Sequence, residues 1–224
     1  MIAAQESTTS DSSKINALEK GSWSVQFEID NFLSISSFLG NNISVKYHLH
    51  PQHAIRLGIS LDGYDNSQDS ERLSSYERTD ERRVKDFSIL VKPQYLYYPY
   101  TDNKVNIFFG TGPYLSYDFR ESELDGKSDY ADTLSAIDYQ WAQNTRYNIG
   151  ISFVAGVEIF ILDYLSLHAE YGSNLYYGKY EYKQSSRTTY SPSDQPDNGS
   201  RRKGGEDYYY FRYDNVLFSV SVYF

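Results

Sequence analysis

From Gly21 onward the apolar residues of this 224-residue chain fall at every second position, and they do so in eight separate stretches. Trp23, Val25, Phe27 and Ile29 alternate with Ser24, Gln26, Glu28 and Asp30. The same alternation runs through residues 43–49, 55–61, 87–95, 105–109, 149–159, 165–169 and 216–224. A period of two puts alternate side chains on opposite faces of a β-strand, so eight strands are expected, each long enough to cross a bilayer at a tilt. No stretch approaches the roughly 20 consecutive apolar residues that a spanning helix needs. The mean hydropathy of -0.61 agrees with that exclusion. It leaves room for a barrel, whose strands turn only one face to lipid.

The connections alternate in length. Short turns fall near residues 50–53, 99–104 and 162–164, and long polar segments at about 64–84, 120–144 and 184–205. Short turns on one side and long loops on the other predict an up-and-down antiparallel barrel with the short side periplasmic. With an even number of strands both termini then lie in the periplasm. The first loop, residues 33–42, breaks the scheme because it is short and apolar, with Ile35, Phe38 and Leu39. Residues 1–20 are rich in Ser, Thr and Asp and lack a sustained period, so they are expected to form a flexible tail before a barrel domain over 21–224.

A soluble lipocalin-type barrel shows the same period with its apolar face turned inward around a ligand. The minor face separates the two architectures. It holds Gly, Ser, Asn and Gln together with Glu28, Lys46, Arg56, Lys92, Glu158 and Glu170. Charges of both signs at mid-strand suit a narrow interior where they pair, and a uniform Ile/Val/Leu/Phe/Tyr face suits lipid. The reading is therefore an eight-stranded transmembrane β-barrel. Each of the six charges lies a few residues from a periplasmic end, so they are expected to meet in one layer. Stranded separately in a closed lumen they would each cost several kcal/mol, which makes pairing close to obligatory. The expected result is an ionic plug, with a narrow ion path as the alternative.

The last stretch, Val216-Leu217-Phe218-Ser219-Val220-Ser221-Val222-Tyr223-Phe224, resembles the C-terminal signature of bacterial outer-membrane proteins. Those end in an aromatic residue preceded by apolar residues at every second position. Gly156-Val157-Glu158-Ile159-Phe160, and residues 165–172 after the following turn, resemble the small OmpX/OmpA-type barrels, as does the strand–turn–strand of residues 43–58. The resemblance covers about residues 21–224. It implies a porin-like Gram-negative outer-membrane location and recognition of Val216, Phe218, Val220, Val222 and Phe224 by the barrel-assembly machinery.

Composition narrows the function. The absence of Cys removes thiol chemistry and Cys-based metal sites, and the net charge of -9 argues against a nucleic-acid partner. His48, His50, His53 and His168 all lie beside the short turns, away from the extracellular rim where barrel enzymes place their His residues. Neither a metal centre nor catalysis is expected, and no cofactor is implied. Among the 24 Tyr residues, Tyr95, Tyr97, Tyr98 and Tyr100 and then Tyr176, Tyr177, Tyr180, Tyr182 and Tyr208–Tyr210 read as two interfacial girdles. The upper group has a second reading, an aromatic platform for saccharide or protein. Acidic Glu121, Glu123, Asp125, Asp129 and Asp132, and basic Arg201-Arg202-Lys203, mark outer loops suited to solvent, cations, lipopolysaccharide or an extracellular ligand. The expected role is structural or surface-interacting, with outer-membrane lipid as the constant partner.

Overall fold

A computed structural model describes residues 16–30, 34–35, 43–73, 77–101, 103–130, 134–191 and 198–224. The strands are β1 (Trp23–Asp30), β2 (Ser34–Ile35), β3 (Ile43–His50), β4 (His53–Leu73), β5 (Glu77–Tyr97), β6 (Val105–Tyr130), β7 (Leu134–Leu162), β8 (Leu165–Ser191) and β9 (Asn198–Tyr223). All pairings are antiparallel, and pairing of β1 with β9 closes the sheet into a ring.

The strand count corrects the expectation of eight, because among the described residues the sheet has nine strands. The additional one is β2, which pairs Ser34 and Ile35 with Asp30 and Ile29. Ile29 also pairs with Phe218 of β9, so β2 lies on the flank of β1 that β3 occupies lower down. Two paired residues are too few for a period to show, and the segment holding them read as loop.

The long polar segments are corrected more substantially. Most of residues 64–84, 120–144 and 184–205 are strand, continuing β4–β9 to lengths of 21 to 29 residues. In these stretches both faces are mostly polar, with only a few buried residues such as Ser128 and Ala136, so hydrogen-bonded ladders form without an apolar alternation to announce them. Above the Ile29–Phe218 and Ile43–Ile59 pairs the described sheet is a wall of six strands standing on the closed ring.

The two faces have opposite polarity. On the outside, Leu57, Phe109, Ile149, Ile151, Phe153 and Leu175 are 44 to 59% exposed. On the inside, Ser24, Lys46, His48, Asn106, Ser152, Glu158 and Ser221 are buried. Gly112 allows one of the close strand approaches, since a Cβ there would collide with the Pro93 carbonyl.

At the base the interior turns apolar. Ala54, Leu96, Tyr98, Phe108, Val154, Phe160 and Tyr223 pack together, and Leu18 inserts among them with 3% exposure. Of the tail expected over residues 1–20, residues 1–15 lie outside the described residues, and residues 16–20 run across this base. Asn16 Nδ2 donates to the Thr101 and Asn103 carbonyls at 2.6 and 2.9 Å. Gly21, at φ 92°, turns the chain into β1 and donates its N–H to the His48 carbonyl.

Candidate functional site

Period-two geometry aims Lys46 (β3), Arg56 (β4), Lys92 (β5), Glu158 (β7) and Glu170 (β8) into the ring. There the charges form three tiers and not one layer. Lys46 Nζ lies 2.9 Å from Glu158 Oε2, and both side chains are fully buried. One tier up, Arg56 donates to both Glu170 oxygens at 2.6 and 3.3 Å. Higher still, Lys92 Nζ stands 3.5 Å from Asp214 Oδ2. Equal spacing from a turn does not give equal height, because barrel strands are tilted and staggered.

Glu158 is held from both carboxylate oxygens. Its Oε2 accepts from Lys46 Nζ and from the Tyr98 hydroxyl, each at 2.9 Å. Its Oε1 accepts from the Tyr223 hydroxyl at 2.6 Å and the Ser166 hydroxyl at 2.7 Å, with His168 Nε2 at 3.1 Å. Lys46 also donates to the Tyr98 oxygen and lies 5.0 Å from the Tyr223 ring centre. A carboxylate with four donors, one of them a cation, offsets much of its lost hydration.

The Arg56 tier is tied across the ring in the same way. Arg56 donates to Gln94 Oε1 from Nε and Nη2 and to Gln26 Oε1 from Nη1. Gln26 donates to Ser219, and Gln94 to Ser152. A cavity of about 70 Å³ separates this tier from the next and is lined by Glu28, Arg56, Lys92, Glu170 and their neighbours. Glu28 therefore joins the polar interior as a cavity-lining group.

Asp214 is the acid that sequence reasoning missed. Strict alternation from Val216 sends residue 214 outward. Between Tyr171–Val216 and Ser173–Tyr213, however, two steps on β8 oppose three on β9. This bulge turns Asp214 inward, where it also accepts from Asn174 Nδ2 at 3.0 Å. The polar run Asp214-Asn215 inside an apolar strand was the available signal.

The histidines do not converge. His48 is buried with neither ring nitrogen hydrogen-bonded among the described residues, His50 and His53 lie with tilted rings 5.6 Å apart at the turn, and His168 contacts Ser166 and Ser221. The Ser221–His168 contact of 2.7 Å lies in the base of the ring, with Ser221 fully buried. Among the described residues no group of three His, Asp or Glu side chains is placed to hold a metal.

The C-terminal residues Val216, Phe218, Val220, Val222 and Phe224 lie along the outer face of β9, with Phe218 56% and Phe224 79% exposed. The tyrosines divide. Tyr98 is buried in the plug, while Tyr176, Tyr180 and Tyr208 sit on the inner face of the wall. Tyr180 donates to Asn144 and Tyr208 to Asn148. Phe87, Tyr117, Tyr147, Tyr177 and Tyr209 share the outer face at one height. Above the plug, Asp62, Asp86, Asp118, Arg120, Arg146 and Tyr180 line an open cavity of about 500 Å³.

No family model and no curated protein matches the chain. Among solved structures it is similar to a major outer membrane protein from Thermus thermophilus. That likeness has 14% identity and a TM-score of 0.38, covering 92% of this chain and 100% of that one. OmpT, an outer membrane protein of Vibrio cholerae folded in vitro, shows 10% identity and a TM-score of 0.11, over 91% and 95% of the two chains. Superpositions this loose add nothing to the ring described above.

Proposed function

We propose that the chain is a bacterial outer-membrane β-barrel with a closed lumen, a non-catalytic protein that acts through the wall of strands above the membrane. The observation that carries this reading is the uncharged outer face of the ring. From the base to the Tyr147–Tyr177–Tyr209 belt no Asp, Glu, Lys or Arg occupies an outer position on β1 or β3–β9. On β8 that band runs from Leu165 to Tyr177. Twelve residues of tilted strand rise about 30 Å, the thickness of a bilayer's hydrocarbon core. A lipocalin-type barrel would carry its charges on this face and its apolar residues inside.

In this reading the tall hairpins stand outside the cell, and both chain ends lie on the periplasmic side with the short turns. Residues 216–224 of β9 present the strip that the barrel-assembly machinery recognises. The Lys46–Glu158 plug and the apolar base beneath it close the lumen, which favours a structural or surface-binding role over a channel. Planar-bilayer recording tests this directly. Wild-type protein should show no discrete conductance, and steady single-channel steps at neutral pH would establish the channel reading instead.

A further inference from the structure

We propose that the outer face of the β8–β9 hairpin binds the phosphorylated saccharide headgroups of outer-leaflet glycolipids. The inference rests on the membrane-embedded reading above, which fixes the height of the site.

Consecutive outer-face rungs give that height. Ile149, Tyr177 and Tyr209 form one rung, at the aromatic belt. Six residues further up β8, Gln143, Lys183 and Lys203 form another, and the next is Trp141, Ser185 and Arg201. Six residues of tilted strand place the Lys183 rung about 15 Å above the belt. The polar zone of a phospholipid bilayer extends only about 5–8 Å beyond the hydrocarbon on each side. A saccharide headgroup reaches the higher level and a phospholipid does not.

The chemistry of the face fits the same ligand. Tyr139, Trp141, Lys183, Arg201 and Lys203 line the outer side of an open cleft of about 480 Å³, within the roughly 300–1,000 Å³ of small-molecule sites. None of these three cations makes an ion pair with an acidic side chain among the described residues. The neighbouring acid on β8, Glu181, is held by Lys179 at 2.6 Å, and that contact, with weaker attraction from Lys203 and Lys183, keeps its carboxyl below the usual range. Glu123 and Asp125 pair with Trp141 and Tyr139 from the far side, so the aromatic strand separates them from the cations. Arginine forks and lysine ammonium groups suit phosphate oxygens, and the Tyr139 and Trp141 rings offer apolar faces to the C–H side of a pyranose. An unpaired cluster of cations with flanking aromatic rings is complementary to a phosphate-bearing sugar.

The test uses the full chain in phosphatidylcholine vesicles containing bis-phosphorylated lipopolysaccharide. Parallel vesicles carry the same lipid dephosphorylated, or phosphatidylglycerol at matched charge. Binding is read from Trp141 fluorescence in a W23F background, and insertion from the heat-dependent mobility of the band. The phosphorylated glycolipid should be bound selectively. The K183Q/R201Q/K203Q variant should insert normally and bind about a hundredfold more weakly, at roughly a fivefold loss for each cation removed. Equal response to dephosphorylated lipid or to phosphatidylglycerol, or unchanged binding by the variant, overturns the site. So does displacement by inorganic phosphate at the same phosphate concentration, which would show a free-phosphate site. Failure of the wild-type chain to insert in any vesicle overturns the membrane reading together with the site, whereas insertion without selectivity overturns the site alone.

Discussion

At the residue scale the plug depends on Glu158. Two charges with no solvent exposure are held by complementary bonds, and removing one partner leaves the other buried without compensation. Glu158→Ala should therefore destabilise the protein by about 3–5 kcal/mol in urea unfolding from detergent micelles. Pairing it with Lys46→Met, which removes the stranded cation, should recover part of that loss. Wild-type stability in the single variant would mean that water reaches Lys46, and the closed-lumen reading would fail. Lys92–Asp214 sits in a wetter place, with side chains 23% and 19% exposed. Its loss should cost less, since partly solvated pairs contribute little.

At the element scale β9 sets which side chains face outward and which face the interior. The extra residue near Asp214-Asn215 reverses the parity of everything above it. With the bulge, Tyr209, Phe211 and Tyr213 are outside, and Asp214 reaches Lys92. Deleting Asn215 removes the additional residue, so residues 198–214 must exchange faces or lose register. That deletion should sharply lower the yield of folded protein, read as the band that shifts on heating. Deleting Gly199 at the top of the strand displaces a single described residue, Asn198, and should leave the yield near wild type. Equal yields would show that the bulge does not set the face. The tall hairpins follow a different rule, because with both faces mostly polar their stability comes from ladder hydrogen bonds and cross-strand pairs.

At the scale of the whole molecule the ring is an inverted protein, with its polar groups packed inside and its apolar residues outside. Closing the sheet leaves no unpaired edge at the level of the lower band, the condition for strands to cross a bilayer. The protein should accordingly fold only with detergent or lipid. In SDS without boiling it should migrate as a compact band that shifts after heating. A detergent-free monomer that remains in solution would reverse the inside–outside assignment and restore the lipocalin-type reading. The apolar base, which Leu18 enters, and the charged tiers above it fill successive levels of the interior.

What the sequence determined by itself was the alternation, and with it the strands, the short turns and the inward direction of Lys46, Arg56, Lys92, Glu158 and Glu170. These are local properties, since a period of two fixes which face a side chain takes without knowledge of the neighbouring strand. The two-residue β2 and the strand character of the long polar segments were not legible. The first is too short for a period, and the second has no sustained apolar face to imprint one. Only the tertiary structure decided which charges meet, because strand stagger separated Lys46–Glu158, Arg56–Glu170 and Lys92–Asp214 into tiers. It also recruited Asp214 through a bulge whose effect depends on the register of β8. Leu18 reads as one apolar residue in a polar tail until the ring closes and gives it an apolar base to enter.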